Sequence, residues 1–393
     1  MTERDIMAHN EEVAQLWDDF RRGANRRVPI TFAADEFLWL RLTGNTFREF
    51  YTDPRVQIKV LLAGDDWLRH NVVQDRRMGP PSDAWTVCPR FWMDEPECLG
   101  CDVIIQEDDF AWSEPLGCDK RELLARLRDI DPREMVQKSR LWRLYQDMSA
   151  IADGMTHRGL PVRVEFPGVG THVVFTIAAR VRGIEQLLVD MVQDPEFAHE
   201  FIGLVADRTV GRIHAWHELA GTGRQFPSSD AWGMGDDSLQ FISREMYERF
   251  VLPHHRRVYA AMTTGDRHMH LCGYAQQHFR VLYDALRITT LDGPGTFVDH
   301  GALLSEMPRL NVNAQCDHTV LLLGPTSEIE GMMRRMLTGA AKQPGRFQIA
   351  GFLLRDTPPS HVRAMYEAGK RHGGIRPRAR HQDYNDASPL RSE

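Results

Sequence analysis

The chain has 393 residues, of which 42% are hydrophobic and 26% are charged, a composition typical of a soluble globular protein and not of a disordered one. Its 48 Lys and Arg residues are outnumbered by 55 Asp and Glu residues, and the formal net charge of −7 gives no general attraction to nucleic acid or anionic membranes. No apolar run is long enough to span a bilayer, and residues 1–10 lack the apolar core of a signal peptide. We therefore expect a cytoplasmic protein that binds neither nucleic acid nor membranes.

The pattern of the sequence changes near residue 150. Residues 1–150 contain helix-like stretches separated by irregular segments, and we expect a helical, loop-rich N-terminal extension that packs over the mouth of a barrel. Residues 151–370 alternate between strand and helix patterns, which indicates a parallel sheet of the α/β class. At this length the alternation favours a (β/α)8 barrel of the TIM type, because no Gly-x-Gly-x-x-Gly turn follows any strand. Residues 371–393 are polar and basic and are expected to form a disordered tail.

The strands expected in residues 151–370 are short and apolar or alternating. Asp194 and Pro195 begin a long helix between two of them, and Asp292-Gly293 is interpreted as a turn that ends another. The predicted strands are Val162–Phe166, Val173–Ile177, His268–Cys272, Ile288–Leu291, Leu310–Ala314 and Phe347–Leu354.

The segment His268–Gly273 contains the residue types that bind metals. Because side chains alternate along a strand, His268, His270 and Cys272 share one face, and Gly273 marks the carboxyl end where barrel active sites lie. Imidazole and thiolate are preferred zinc donors, so His270 and Cys272 are candidate metal ligands and His268 a candidate catalytic residue. Two ligands do not make a site, however, and the same residues could fill the barrel mouth without a metal.

Aspartates lie in the segment 228–237, where a strand and its following loop are expected. Carboxylates at the carboxyl end of a strand suit metal coordination or proton transfer, and Asp230 and Asp237 are therefore candidate catalytic residues. The alternative is a turn rich in Asp and Gly with no chemical role.

The segment His270–Gly273 resembles the His-x-Cys-Gly of the corrinoid and thiol methyltransferases in the uroporphyrinogen decarboxylase superfamily. Each further match is short, but the matches follow the order of that superfamily along residues 150–370. The other matching segments are Thr176–Ala178, Arg182–Gly183, Asp194–Phe197, Asp236–Asp237, Ile242–Pro253, Leu321–Gly324, Glu328–Ile329 and Thr357–Pro359.

This resemblance implies a (β/α)8 barrel whose pocket lies at the carboxyl ends of the strands. In the methyltransferase branch, zinc binds a thiol and presents it as a thiolate to a methyl donor, and a corrinoid (cobalamin) on a partner protein carries the methyl group. The resemblance thus implies zinc, a small-molecule methyl donor or thiol as substrate, and a corrinoid protein as partner.

The sequence departs from this superfamily at two places. The methyltransferase branch has a third ligand, a cysteine, in its last barrel strand, whereas Ile349–Leu354 contains none. Cys316, Asp230, Asp237 or a bound substrate could complete the metal shell instead. The tetrapyrrole decarboxylases have an arginine-rich motif that binds substrate carboxylates, and the comparable residues 29–36 contain no arginine. Decarboxylation of uroporphyrinogen is therefore not expected.

Three functions remain open at this point: corrinoid-linked methyl transfer, a metal-free decarboxylase acting on a small acid or a tetrapyrrole-like substrate, and a corrinoid or tetrapyrrole binder without catalysis. Two other metal-like patterns have simpler explanations. Cys98 and Cys101, with Cys88 and Cys118 beside them, are expected to be buried thiols because their spacing is irregular for a zinc ribbon. His214 and His217 share a helix face that is expected to be solvated.

Overall fold

A computed structural model describes residues 2–167 and 172–375 of the chain. Within these ranges the helices are distributed along the sequence, and half of them are the first α-helix after a strand. They are α1 Glu3–Arg21, α2 Glu36–Thr43, α3 Phe47–Thr52, α4 Pro54–Asn71, α5 Asp94–Cys98, α6 Lys120–Asp129, α7 Pro132–Lys138, α8 Arg140–Ala152, α9 Phe175–Arg182, α10 Ile184–Gln193, α11 Pro195–Leu219, α12 Arg244–Phe250, α13 Leu252–Met262, α14 Gln276–Val281, α15 His300–Glu306, α16 His318–Leu323, α17 Thr326–Leu337 and α18 Pro359–His372. None of the helices in the described ranges is long and apolar enough to cross a membrane.

The strands of the described residues form one large sheet and two small ones. They are β1 Ile30–Ala34, β2 Trp85–Val87, β3 Val103–Ile104, β4 Trp112–Ser113, β5 Thr156–His157, β6 Leu160–Val164, β7 Trp232–Gly235, β8 Arg267–His270, β9 Thr290–Asp292, β10 Asn311–Gln315 and β11 Phe347–Leu353. The large sheet has the order β1-β11-β10-β9-β8-β7 and all of its pairs are parallel. Strands that follow one another in sequence are thus neighbours in space, as in a barrel.

Short extended segments continue the large sheet at both edges. Beside β7, the Val173 amide donates to the Gly235 carbonyl at 3.1 Å, and beside β1 the Asp75 amide donates to the Ile30 carbonyl at 2.8 Å. Among the residues that the structure describes, no backbone pairing joins these two outer segments to each other. The strand order therefore matches a barrel whose wall is not closed by continuous backbone hydrogen bonds.

The two faces of the large sheet differ in polarity. On β8, Met269 is fully buried while His268 and His270 are half-buried, and on β10 the side chains of Val312 and Ala314 are buried. Helices cover the apolar face: a Cβ added to Gly369 of α18 would meet Ile30 of β1 at 1.6 Å. Burial of this face drives the folding of the sheet, and β8, β9 and β10 are left with polar side chains on the inner face.

The N-terminal 150 residues contribute directly to this sheet, because β1 lies within them. The expected division at residue 150 remains a prediction, although it separates one strand of the large sheet from the other five. The C-terminal helix α18 reaches His372, and the Ile375 amide donates to the Arg26 carbonyl at 2.8 Å. The first residues of the expected tail are therefore hydrogen-bonded, and residues 376–393 lie outside the described ranges.

The strand expected at Val173–Ile177 is wrong in its second half. The chain turns at Val174, which has a φ of 52°, and α9 begins at Phe175. A positive φ is unfavourable for a β-branched residue, so surrounding contacts must hold it. Those contacts are the hydrogen bonds from the Phe175 and Thr176 amides to the Asp236 carboxylate.

We predict that Asp75 secures the outer edge of β1. This buried carboxylate accepts hydrogen bonds from the Ile30 amide at 2.7 Å, from Arg27 at 2.6 Å and from the Tyr366 hydroxyl at 2.9 Å. Asp75→Ala should lower the free energy of unfolding by about 3–5 kcal/mol, because the Arg27 guanidinium would lose its buried partner. Urea unfolding monitored by circular dichroism measures this change.

Asp83→Ala is the matched control, because Asp83 forms an exposed ion pair with Arg163. Its effect should stay below about 1 kcal/mol. Equal losses for the two variants would show that Asp75 does not secure the edge.

Candidate metal centre

The carboxyl ends of β7 and β8 bring three potential metal ligands together. One ligand atom each from Asp237, His270 and Cys272 lies within 4.8 Å of the other two. Asp237 follows β7 closely, His270 is the last residue of β8, and Cys272 follows two residues later. Among the described residues, these three form the one cluster of at least three His, Cys, Asp or Glu side chains that could hold a metal ion.

The donor set fits a zinc ion. Around a tetrahedral ion with bonds of about 2.0–2.3 Å, ligand atoms are about 3.3–3.8 Å apart. The Nε2 atom of His270 is 3.8 Å from Oδ1 of Asp237, and the remaining separations need to contract by about 1.5 Å at most. Three protein ligands leave a fourth coordination position for substrate, which is the arrangement of catalytic zinc sites.

Asp292 on β9 orients His270. The parallel register pairs His270 with Asp292, and His270 Nδ1 is 2.5 Å from Oδ2 of Asp292. The amide of Asn313 on β10 donates to Oδ1 of the same carboxylate at 2.5 Å. A carboxylate on one ring nitrogen leaves the other nitrogen available as a metal ligand, a second-shell arrangement common to metal-binding histidines.

The surroundings of His270 stabilise positive charge. Burial by itself lowers the pKa of the imidazole, but hydrogen bonds with Asp292 and Cys272 and the charges of Asp292 and Asp237 outweigh it and raise the pKa to about 10. The carboxylates that stabilise a proton on this ring would also stabilise a metal cation beside it. Metal binding would displace that proton.

Two glycines give His270 and its neighbour His268 the room they occupy. Gly293 has a φ of +93°, and an added Cβ would meet Cε1 of His270 at 3.0 Å. An added Cβ at Gly233 would meet the Cβ of His268 at 2.9 Å across the β7–β8 pair. The turn expected at Asp292-Gly293 is therefore part of the site, and Gly293 is needed for both its backbone conformation and its lack of a side chain.

The buried carboxylate of Asp236 fixes the end of β7. It accepts hydrogen bonds from the Thr176 hydroxyl at 2.7 Å and from both the Phe175 and Thr176 amides, and it lies 2.8 Å from Nε2 of His255. The backbone amide of Cys272 in turn donates to Oδ1 of Asp237 at 3.0 Å. Asp236 therefore holds the chain so that Asp237, the next residue, faces β8.

The structure brings together some of the candidate residues and separates others. Asp237, His270 and Cys272 form the cluster, and His268 lies on the same face of β8, one step closer to the amino end. Asp230 is not part of it, because it precedes β7 and is exposed beside Arg224, its Oδ2 being 3.4 Å from the guanidinium. The sequence pattern correctly indicated that Asp230 lies near a strand. It did not show that Asp230 lies at the amino end of β7 rather than at the carboxyl end.

Cys316 is also absent from the cluster. It follows the last residue of β10 and is buried, and burial raises the pKa of its thiol to about 12. The third potential ligand in the cluster is Asp237, which was considered for this position together with Cys316. No disulfide joins the cysteines, all of which lie in the described ranges, and burial raises the pKa values of Cys98 and Cys101 above their usual range.

Asp292, Asn313 and His172 were not among the candidate residues. His172 Nε2 is 4.0 Å from Oδ2 of Asp237. Asp292 has the signal that could have identified it: an acidic residue at the carboxyl end of the strand that follows β8 in the sequence. Asn313 had no such signal, because its role depends on the register between β9 and β10.

Comparison with known protein families shows to which family the chain belongs. The family model for uroporphyrinogen decarboxylase (URO-D) matches residues 87–372, which is most of the sequence. The chain belongs to the URO-D family. The superfamily expected from the His270–Gly273 segment is thereby confirmed, and with it an enzyme superfamily.

Two methyltransferases of Methanosarcina mazei are similar to this URO-D family member. Its sequence is 34% identical over 101 residues to a methylated-thiol–coenzyme M methyltransferase, an alignment that spans about a quarter of each chain. Its structure is similar to that of a methyltransferase, with a TM-score of 0.62 and 14% identity over 91% of this chain and 98% of the other. The family and the structural similarity confirm the TIM-barrel type of fold.

We predict that Asp236 is structural and Asp230 is neither structural nor part of the site. Asp236→Asn should lower the free energy of unfolding by about 2–4 kcal/mol, since an amide group cannot accept the hydrogen bonds that both carboxylate oxygens receive. Asp230→Asn should change it by less than about 0.5 kcal/mol, because the residue is exposed. Urea unfolding of both variants tests this, and equal stabilities would contradict it.

Proposed function

We propose that this URO-D family member is a zinc-dependent methyltransferase whose metal is held by Asp237, His270 and Cys272. The observation that carries the proposal is the convergence of these three ligand atoms at the carboxyl ends of β7 and β8. Barrel enzymes place their chemistry at this edge, and Cys272 is exposed there to incoming substrate. The two methyltransferase relatives favour methyl transfer over other reactions of the family.

Three side chains would bind the ion directly, and neighbouring groups would hold these side chains in place. Bound zinc lowers the pKa of a coordinated thiol, so that the thiol is held as a nucleophilic thiolate. Asp292 and Asn313 hold the ring of His270 in place, and the Cys272 amide holds the Asp237 carboxylate. We assign His268 to the inner wall below the metal and no catalytic role to Asp230.

Two cavities beside the cluster provide room for two substrates. Cys272 lines an open cavity of about 950 Å³, and Ser238, the residue after Asp237, lines a second cavity of about 710 Å³. Methyl transfer needs a donor and an acceptor at one centre, and the main task of the protein is to orient them. We propose a small-molecule methyl donor or thiol in the first cavity and a corrinoid, carried by a partner protein, as the methyl carrier.

Metal content tests the site. The purified chain should contain about one zinc ion, and Cys272→Ser and His270→Gln should lose it, because each removes one of three protein ligands. Elemental analysis by mass spectrometry measures the stoichiometry. Cys118→Ser is the matched control, because Cys118 is a half-buried cysteine outside the cluster, and this variant should keep its zinc. Zinc retained by Cys272→Ser would rule out the proposed centre.

The orienting role of Asp292 gives a separate prediction. Asp292→Asn should weaken zinc binding by about 10–100-fold, since an amide carries no charge and its single oxygen cannot accept from both His270 and Asn313 as the carboxylate does. Competition with a fluorescent zinc chelator measures the affinity. Asp284→Asn, which changes an exposed carboxylate paired with Arg280, is the control and should bind zinc as tightly as the unchanged chain.

The reaction itself is tested with methylated donors, a thiol acceptor and a corrinoid carrier. Methylated thiol, detected by mass spectrometry and lost after treatment with a chelator, would support the proposal. The family also includes decarboxylases, so carbon dioxide release is measured in parallel on a panel of small acids. Release of carbon dioxide that persists without metal, together with no methyl transfer, would establish the metal-free decarboxylase instead.

A further inference from the structure

The larger cavity is lined by aromatic rings on several sides. Tyr274 is 68% exposed and stacks on Phe297 with ring centroids 4.3 Å apart. Phe37 and Phe110 form an edge contact at 5.0 Å on another part of the wall, and Phe352 of β11 also lines the cavity. Gly295 makes room for the stacked pair, because an added Cβ would meet Phe297 at 2.6 Å. An exposed aromatic pair at an enzyme cavity offers π faces to a ligand.

The charged groups of the same cavity are mainly acidic. Asp35, Asp108 and Asp317 line it, and none of the three forms an ion pair within the described ranges. Its arginine, Arg355, lies 3.4 Å from Asp356, a carboxylate that also pairs with Arg41. An anionic ligand would therefore meet three carboxylates without cationic partners, whereas a cation would meet complementary charge.

Asp35 and Asp317 cap helices, but capping does not neutralise them. Asp35 accepts a hydrogen bond from the Leu38 amide, and Asp317 accepts hydrogen bonds from the Thr319 and Val320 amides. Burial, together with the neighbouring charge of Glu36, raises the pKa of the Asp35 carboxyl, because no cation among the described residues offsets the loss of solvent. A bound cation would supply that missing charge.

We infer that this cavity binds a methylated cation, a quaternary ammonium or sulfonium compound, as the methyl donor. The inference rests on the proposed function and assigns the donor its chemical class. Aromatic faces and carboxylates together recognise such cations, whose charge is spread over apolar methyl groups. The position of Cys272 on the wall of this cavity brings the donor to the proposed centre.

The transfer balances without an oxidant or reductant. In the net reaction, with the corrinoid as intermediate carrier, a new S–C bond forms between the acceptor thiolate and the methyl carbon, and the C–N or C–S bond of the donor breaks. The bonding electron pair stays on the leaving nitrogen or sulfur, which departs as a neutral tertiary amine or sulfide. The acceptor thiol gives its proton to solvent when it becomes a thiolate.

The test compares choline with 3,3-dimethylbutan-1-ol, its neutral isostere, by isothermal titration of the full chain. Choline should bind at least about tenfold more tightly, because the isostere has the same shape but lacks the charge. Phe297→Leu and Asp317→Asn should each weaken choline binding by about 3- to 30-fold. Asparagine is a good helix cap, so Asp317→Asn should preserve α16.

Two matched variants serve as controls. Asp299→Asn changes another helix-capping aspartate, at α15, and Phe226→Leu changes a half-buried phenylalanine that stacks on His214 outside both cavities. Both should bind choline as tightly as the unchanged chain. Equal affinity for choline and its isostere would overturn the inference, as would tighter binding of the anionic thiol 2-mercaptoethanesulfonate.

Titrations in the metal-free and the zinc-loaded protein separate the two proposals. Choline binding in the metal-free chain supports the cation site whether or not zinc binds. Zinc binding and methyl transfer from uncharged donors, without any preference for choline, would leave the proposed function standing and remove the inference about the donor.

Discussion

The candidate metal centre depends on the buried carboxylate of Asp236. Asp236 joins the end of β7 to the first turn of α9, and its hydrogen bonds impose the positive φ of Val174. A carboxylate without solvent is unfavourable unless donors surround it, and the two amides, the Thr176 hydroxyl and His255 are those donors. Both carboxylate oxygens of Asp236 are hydrogen-bonded within this network. The carboxylate that faces β8 and accepts from the Cys272 amide is therefore that of the next residue, Asp237.

The parallel register connects the remaining parts of the site. Side chains at equal height on neighbouring strands lie side by side, so Gly235, His270, Asp292 and Asn313 form one row across β7 to β10. Such a row places a potential metal ligand (His270), its orienting carboxylate and the partner of that carboxylate on three successive strands. If the register between two of these strands shifted by one residue, His270, Asp292 or Asn313 would turn to the apolar face, and its contact with the neighbouring strand would be lost.

Local sequence patterns predicted the parts of this arrangement that a single strand determines. The period of two placed His268, His270 and Cys272 on one face, and the strands β8 to β11 lie within a few residues of their expected positions. The patterns did not determine contacts between strands or the end of a strand at which a loop residue lies. Asp292 was therefore interpreted as a turn residue, Asp230 as a site residue, and Val173–Ile177 as a strand, although the distant Asp236 turns that segment into a helix.

The position of Asp237 places the candidate metal centre at one side of the larger cavity, whose wall includes Cys272. The superfamily pattern implied a cysteine on the last strand, but β11 presents Ala350 and Phe352 on its inner face. With Asp237 as the third donor, the cluster is confined to β7 and β8, and its orienting residues to β9 and β10. The ends of β10, β11 and β1 are left free of metal ligands and line the cavity through Gln315, Phe352 and Asp35. With Phe352 rather than a cysteine at this end of β11, that part of the cavity wall is apolar and carries no metal donor.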